Sequence, residues 1–272
     1  SDNTLFTSIK SSTSDFLTDS GYKTSEIGFS LGTKFEQFQN IFLSPEIDFL
    51  IEDLETTSGA SNILKKQEGS YTDLYFNYSI NQDLRDKKFR TEDGYVTTFS
   101  QELPLVSDNS EISNAFEITN YRKLSSTSDM IGKVSFYGKT ITGLSDDVRI
   151  SKRLNVPSFR LRGFQRGKVG PVDNNDYVGG NYISALNLSA TLPTLVQGLD
   201  NLDVGLFFDA ANVWGVDYDS SIDDKSKVRS SAGVALNLMT PIGPLSFSFA
   251  NALSKASSDK TETFRFNLGT QF

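Results

Sequence analysis

Basic side chains are concentrated in one stretch of an otherwise acidic chain. The 272 residues carry 26 Lys and Arg against 34 Asp and Glu, a net charge of −8. Seven of the basic side chains fall within residues 143–179: Arg149, Lys152, Arg153, Arg160, Arg162, Arg166 and Lys168. A guanidinium binds a carboxylate through two parallel hydrogen bonds. The chemistry that this pattern predicts is ion pairing, with Arg162 as an anchor between the basic stretch and acidic side chains elsewhere.

Catalytic and metal-binding chemistry is poorly supported by the residue types present. The chain has no His and no Cys, so a Ser nucleophile lacks its usual base, and zinc lacks its usual ligands. The acidic run Asp217, Asp219, Asp223 and Asp224 lacks the Gly and terminal Glu of an EF-hand loop. The negative net charge disfavours binding to nucleic acid. We therefore expect a protein that is not an enzyme and that has no cofactor, no metal ion and no nucleic acid partner.

The elements that must position these charges are β-strands. At the end of the chain, Phe264, Phe266, Leu268 and Phe272 share one face, and Arg265, Asn267 and Gln271 share the other. A period of two is typical of a strand between two different environments. The same alternation predicts twelve strands, at 3–11, 24–35, 40–52, 70–82, 94–104, 111–123, 131–142, 180–194, 202–213, 227–238, 244–253 and 262–272. No apolar run approaches the roughly 18 residues of a transmembrane helix.

The predicted connections alternate between short and long. The short set comprises 36–39, 196–200 and the Pro-Gly turn 241–244, and 83–93 is a long exception on the same side. The long, polar set comprises 12–23, 53–69, 143–179, 214–226 and 254–261. This pattern is typical of a bacterial outer-membrane β-barrel, with apolar side chains toward lipid and polar side chains toward a lumen. The alternative is a soluble β-sandwich or barrel, whose apolar face would form a packed interior.

The fold that we expect is therefore all-β: an antiparallel transmembrane barrel of about twelve strands, forming a single domain over residues 1–272. Residues 143–179 exceed the ~12–15 residues of an ordinary connection. Because they are basic in an acidic protein, we expect them to form a long extracellular loop that folds into the lumen. The expected location is the bacterial outer membrane.

Several motifs resemble those of one family of outer-membrane proteins. They are Leu161-Arg162-Gly163-Phe164, Gly170-Pro171, Gly179-Gly180-Asn181, Phe207-Phe208-Asp209, Asn212-Val213-Trp214, Arg229-Ser230-Ser231-Ala232-Gly233, Thr240-Pro241-Ile242-Gly243-Pro244-Leu245 and the terminal Phe272. The order and spacing of these motifs are similar to those of the BamA family of outer-membrane protein assembly factors. The resemblance is strong over residues 155–272 and rests on strand rhythm before that.

The resemblance implies a function and partners. The family barrel has sixteen strands after periplasmic polypeptide-transport-associated domains, and this chain resembles the last twelve strands. It implies insertion of outer-membrane proteins through a lateral seam. The partners would be outer-membrane lipids, unfolded outer-membrane protein clients and, through periplasmic domains that this chain lacks, accessory lipoproteins. The alternative is a passive or translocation channel, either porin-like or a two-partner secretion transporter.

The resemblance also assigns roles to residues. Leu161, Arg162, Gly163 and Phe164, with Gly179 and Gly180, would form the lumen loop motif. Asp209 matches the strand carboxylate that holds the motif Arg, while Ser189 stands where the family has a Glu. Asp203 shares the face of Asp209 and would compensate as a second anchoring partner. Phe264, Phe266, Leu268 and Phe272 would form the C-terminal signal strand.

Overall fold

Antiparallel strands make up most of the chain in the computed structural model, which describes residues 3–88, 90–192, 201–240 and 243–268. The strands and helices before the long loop are β1 (Thr4–Phe16), α1 (Leu17–Ser20), β2 (Tyr22–Phe38), β3 (Ile41–Thr56), α2 (Asn62–Lys65), β4 (Gly69–Asp83), β5 (Gly94–Ser107), β6 (Glu111–Lys123) and β7 (Ile131–Gly143). The loop contains two 3₁₀ helices (Ile150–Lys152 and Ser158–Arg160) and a hairpin of β8 (Val172–Asp173) and β9 (Asp176–Tyr177). After it come β10 (Tyr182–Thr191), β11 (Leu202–Trp214), β12 (Arg229–Thr240), β13 (Gly243–Ser254) and β14 (Phe264–Leu268).

Twelve of these strands form one sheet. Each strand pairs with its neighbour in sequence, and β7 pairs with β10 across the loop of residues 144–181. The prediction of a twelve-stranded antiparallel sheet is confirmed. Over the described residues β1 pairs with β2 and β14 pairs with β13, but the two are not paired with each other. The sheet therefore has two free edges rather than a closed ladder.

Two expectations about strand ends are wrong. Residues 12–23 are not a long loop, because Thr13–Phe16 continue β1 and pair with Tyr22–Ser25 of β2, leaving only α1 and Gly21 as the connection. Some strands are also longer than their predicted spans: β2 has 17 residues where 24–35 was predicted, and β3 has 16 where 40–52 was predicted. Polar and apolar residues stop alternating where both faces of a strand are polar. The sequence pattern therefore identifies only the part of each strand with one apolar and one polar face, and misses the residues by which the strand continues.

The outer face of the sheet is apolar although it is exposed. Phe264, Phe266 and Leu268 on β14 are 50%, 49% and 64% exposed, and each lies opposite an apolar residue of β13. Exposed apolar side chains continue across the sheet at Leu5, Ile9, Ile27, Phe29, Leu31, Ile47, Phe49, Ile51, Ile80, Phe116, Val134, Phe136, Leu186, Leu188, Leu206, Val234 and Phe249. A patch this extensive is unusual for a water-soluble monomer. Within the described ranges, no helix is both long and apolar enough to cross a bilayer.

The inner face carries buried charge and surrounds the loop of residues 144–181. Glu52, Asp73, Glu111 and Asp209 are fully buried there. The loop contacts inward side chains from β3 and β4 as well as from β11, β12 and β14, so the sheet curls around it. An apolar cluster also joins loop and wall: Val148, Leu154, Val156, Leu161, Phe164 and Val169 of the loop pack on Ile141, Ile183, Ala185, Ala211 and Val213. The inner wall is thus more apolar than the expected polar lumen.

Candidate functional site

The loop inside the sheet is closed by its own backbone. Leu154 and Gly180 exchange two hydrogen bonds, with N···O distances of 2.8 and 2.9 Å. Gly179 has a φ of 69°, and a Cβ on Gly180 would lie 2.4 Å from the backbone oxygen of Trp214. Only residues without a side chain fit such a return path. The predicted pair of motif glycines therefore lies where the loop rejoins the sheet wall.

Arg162 of the loop binds Asp209 of β11 in a bidentate pair. Its Nε and Nη2 donate to the two carboxylate oxygens at 2.7 and 2.8 Å, and its backbone N–H donates at 3.1 Å. Asn187 of β10 donates from Nδ2 to Asp209 Oδ1 and to the carbonyl of Arg160, both at 2.8 Å. The guanidinium lies 3.5 Å from the centre of the Phe207 ring. The buried carboxylate thus has donors on each oxygen, which a desolvated charge requires.

Asp203 does not take the second anchoring position, and this expectation is corrected. Its carboxylate lies 3.2 Å from the guanidinium of Arg90, in the connection between β4 and β5. Asp203 lies six positions before Asp209 along β11, a distance of about 20 Å at 3.3 Å per residue. Asn187, which is directly opposite Asp209 in the β10–β11 register, is the second partner instead, while Ser189 lies two pairs further along.

The other motif residues fit the wall closely. Leu161 and Phe164 are 2% and 1% exposed within the apolar cluster. Gly163 has a φ of 89°, and a Cβ there would lie 3.2 Å from the Cβ of Ser231 on β12. The Ser231 hydroxyl donates to the carbonyl of Arg162. The motif therefore contacts the wall through apolar packing, a close approach at Gly163 and hydrogen bonds, and together these hold one segment of the loop against the sheet.

Arg149 is a fully buried cation of the loop to which the sequence assigned no partner. Arg149 Nη2 lies 2.6 Å from Asp73 and 3.6 Å from Glu111, and its Nε lies 3.5 Å from Glu52. All four side chains are fully buried. The guanidinium carbon is 4.1 Å from the centre of the Tyr71 ring. One arginine therefore links the loop to β3, β4 and β6.

Hydroxyl groups support the three carboxylates around Arg149. Ser151 donates to Glu52 at 2.7 Å, Ser107 to Asp73 at 2.6 Å and the Tyr75 hydroxyl to Glu111 at 3.1 Å. The available signal was the alternation itself, which places Asp73 on the inward face of β4, and the presence of Arg149 in the basic stretch. Nothing in the spacing of the sequence indicates which wall position Arg149 reaches.

Further ion pairs hold the loop at other positions on the sheet wall. Arg160 Nη2 lies 2.7 Å from Glu117 of β6, with the Tyr137 ring beneath the guanidinium. Arg153 pairs with Asp217, in the connection between β11 and β12. Burial alone would raise the pKa of the Asp217 carboxyl. Hydrogen bonds from the Val148 N–H, Asn181 and Arg153 outweigh it and hold this pKa below its ordinary value.

The loop also joins the first and last connections of the sheet. Lys168 Nζ lies 2.5 Å from Asp19 of α1, while the Lys168 carbonyl accepts from the N–H of Lys260 at 3.0 Å. The Tyr177 hydroxyl donates to the carbonyl of Ser258, which follows β13. Contacts to both ends of the sheet therefore meet on one part of the loop.

The predicted C-terminal signal strand lies at the free edge. Phe264 and Phe266 of β14 point outward, with ring centres 5.0 Å from Phe249 and 5.1 Å from Phe247 of β13, respectively. Leu268 continues the same exposed face. Phe272 lies outside the described residues. The described part of this strand presents an aromatic outer surface.

Comparison with known proteins agrees with this geometry. The chain matches the family model of the Omp85 superfamily domain over residues 2–272. It is 30% identical over 141 residues to the outer membrane protein assembly factor BamA of Neisseria meningitidis serogroup B, covering 41% of this chain and 17% of the relative. It is 29% identical over 115 residues to BamA of Neorickettsia risticii, covering 41% of this chain and 16% of the relative. The chain thus spans about a sixth of the length of these curated relatives.

A solved structure shares the fold. The crystal structure of BamA from Haemophilus ducreyi lacking POTRA domains 1–3 superposes with a TM-score of 0.80 at 21% sequence identity. The match covers 97% of this chain and 58% of that one.

Replacing Arg162 with Ala should release the motif segment from the wall. Loss of hydrogen bonds to a buried carboxylate should destabilise this attachment by about 2 kcal/mol or more. We expect faster cleavage within residues 144–181 by proteinase K, while the strands stay resistant. Arg166→Ala, an exposed arginine of the same segment, is the matched control and should leave the cleavage rate unchanged. Equal cleavage of both variants and the parent would contradict the anchoring role.

Replacing Arg149 with Met should have a pH-dependent effect. Three buried carboxylates then lack their cation, a change that costs about 3–5 kcal/mol for a buried pair. The urea midpoint of unfolding should fall at pH 7.5, and the deficit relative to the parent should shrink at pH 5, where the uncompensated carboxylates take up protons. Arg122→Met, on the exposed part of β6, serves as control. A deficit that is independent of pH would show that Arg149 acts through packing alone.

Proposed function

This chain belongs to the Omp85 superfamily, and we propose that it forms the membrane-embedded part of an outer-membrane protein assembly factor. The observation that carries the proposal is the combination of an outer face rich in exposed apolar side chains, a charge-anchored loop inside the sheet and two strand edges that are unpaired over the described residues. The activity would be physical rather than chemical: the protein would help unfolded β-barrel clients enter the outer membrane without breaking a covalent bond.

The proposed location rests on the distribution of polarity across the sheet. Exposed apolar side chains recur on the outward face of the twelve-stranded sheet, whereas the fully buried carboxylates Glu52, Asp73, Glu111 and Asp209 lie on the inward face. A water-soluble protein buries its apolar side chains and exposes its charges. The reversed arrangement is favourable where lipid covers the outside.

The proposed activity rests on the edges of β1 and β14. An unpaired strand presents a row of N–H and C=O groups, which are a template for another strand. Such groups are costly in lipid, where no water satisfies them. An incoming strand of an outer-membrane client would supply partners, so that edge pairing would favour insertion. Binding of accessory lipoproteins would involve other parts of a longer protein and is proposed for that protein only.

A passive channel is less well supported. The loop of residues 144–181 packs through an apolar cluster and through ion pairs at several heights of the wall. A lumen filled in this way leaves little room for free permeation, in contrast to the open polar channel of a porin.

The membrane location is testable by placing a charge on the outer face. Phe249 is 48% exposed in the middle of β13, and Leu253 is 59% exposed near its end. Arginine on a lipid-facing position costs about 2–4 kcal/mol at the bilayer midplane and ~0–1 kcal/mol near the interface. We expect Phe249→Arg to lower folding efficiency into lipid vesicles far more than Leu253→Arg. Similarly small effects of both changes, as on a water-exposed surface, would argue against lipid contact.

The assembly activity is testable with vesicles that contain the folded 272-residue chain. An unfolded outer-membrane barrel diluted from urea should reach its heat-resistant folded form faster than with empty vesicles. Vesicles holding an equal amount of an unrelated folded barrel control for defects that any protein introduces into the bilayer. Equal rates with the two proteins would remove the support for an assembly function of this chain.

A further inference from the structure

The last described strand is held from inside by the motif loop. Arg265 is on the inward face of β14, with a side chain that is 11% exposed. Its Nη1 donates to the carbonyl of Ser158 and its Nη2 to the carbonyl of Phe164, so both arms of the guanidinium bind backbone of the loop. Its Nε donates to Glu262 at 2.6 Å. The sequence places Arg265 on the polar face of the strand but gives it no partner.

Backbone hydrogen bonds reinforce this contact. The N–H of Gln165 donates to the carbonyl of Lys260 at 3.0 Å, and the N–H of Glu262 donates to the carbonyl of Gly163 at 3.1 Å. Phe164 and Thr261 form an antiparallel bridge between these bonds. The motif therefore pairs, like a short strand, with the segment that leads directly into β14.

The same part of the loop is fixed to strands deeper in the sheet. Arg162 binds Asp209 of β11, and Ser231 of β12 binds the Arg162 carbonyl. By comparison, β14 pairs with β13 through only five residue pairs over its described length, from Phe264 to Leu268. Besides its five pairs in the sheet, β14 is therefore held by two hydrogen bonds from Arg265 to the loop, and the segment before β14 is held by two backbone hydrogen bonds.

We propose that Arg265 is a positioning residue that couples the motif loop to the edge strand, so that release of Arg162 from Asp209 loosens β14. This inference rests on the proposed function in one respect: β14 is an edge that an incoming strand would meet. The loop would then control how firmly that edge is held, because a guanidinium bound to two loop carbonyls moves with the loop.

Hydrogen–deuterium exchange on the full chain in detergent micelles, without client, tests the coupling. Arg265→Gln should raise exchange of the amides of 264–268 by roughly 10-fold to 100-fold, the scale of losing hydrogen bonds to a charged group. Arg265→Lys keeps a cation with rotatable donors and should restore part of the protection. Arg122→Gln, the same change on the exposed part of β6, should leave β14 unaffected.

The decisive variant is Arg162→Ala, which alters the contact with β11 and leaves Arg265 intact. If the loop transmits the change, exchange in 264–268 rises in this variant as well, and the double variant shows less than the product of the two single effects. Unchanged exchange in β14, or effects that multiply independently, would overturn the proposal. Should Arg265→Gln fail to fold, Arg162→Ala and Arg265→Lys still decide the question.

The result is separable from the proposed function. Exchange is measured on the protein alone, so coupled exchange together with absent client insertion would count against the assembly function and leave the coupling established. Client insertion with uncoupled exchange would overturn the role of Arg265 and leave the assembly function standing.

Discussion

A charge that leaves water must meet an opposite charge, and this constraint organises the inside of the molecule. The arginines at 149, 153, 160 and 162 enter the space within the sheet, and each lies against a carboxylate: from β3, β4 and β6, from the connection after β11, from β6, and from β11. The wall presents carboxylates inward while many of its outward side chains are apolar. Polar and apolar residues therefore alternate along the strands. The loop and the sheet therefore depend on the same polarity pattern.

Much of this architecture was predictable from the sequence, because its signals are local. Alternation such as Phe264, Phe266 and Leu268 against Arg265 and Asn267 identifies a strand and its two faces without knowledge of its neighbours. Twelve such segments in order predict an antiparallel sheet. The excess of positive charge between β7 and β10 predicts a loop that forms ion pairs with carboxylates. The resemblance of the motif around Arg162 to that of the BamA family further implies Asp209 as its partner.

What the sequence missed depends on three-dimensional placement. Asp203 is on the same face of β11 as Asp209 but lies too far along the strand to reach Arg162. Knowing which face a residue is on therefore did not identify the second partner, Asn187, which is directly opposite Asp209 in the β10–β11 register. Arg149 meets three acids from separate strands, a convergence that no spacing encodes. The polar residues around Thr13 looked like a loop because both faces are hydrophilic, although pairing with β2 continues there.

The position of Lys168 has a directional consequence. Its side chain binds Asp19 beside the first strands, and its carbonyl binds Lys260 before the last one, so the rims of the curled sheet are strapped together at one end. Any separation of the two edge strands at this end of the sheet must therefore first break the contacts of Lys168.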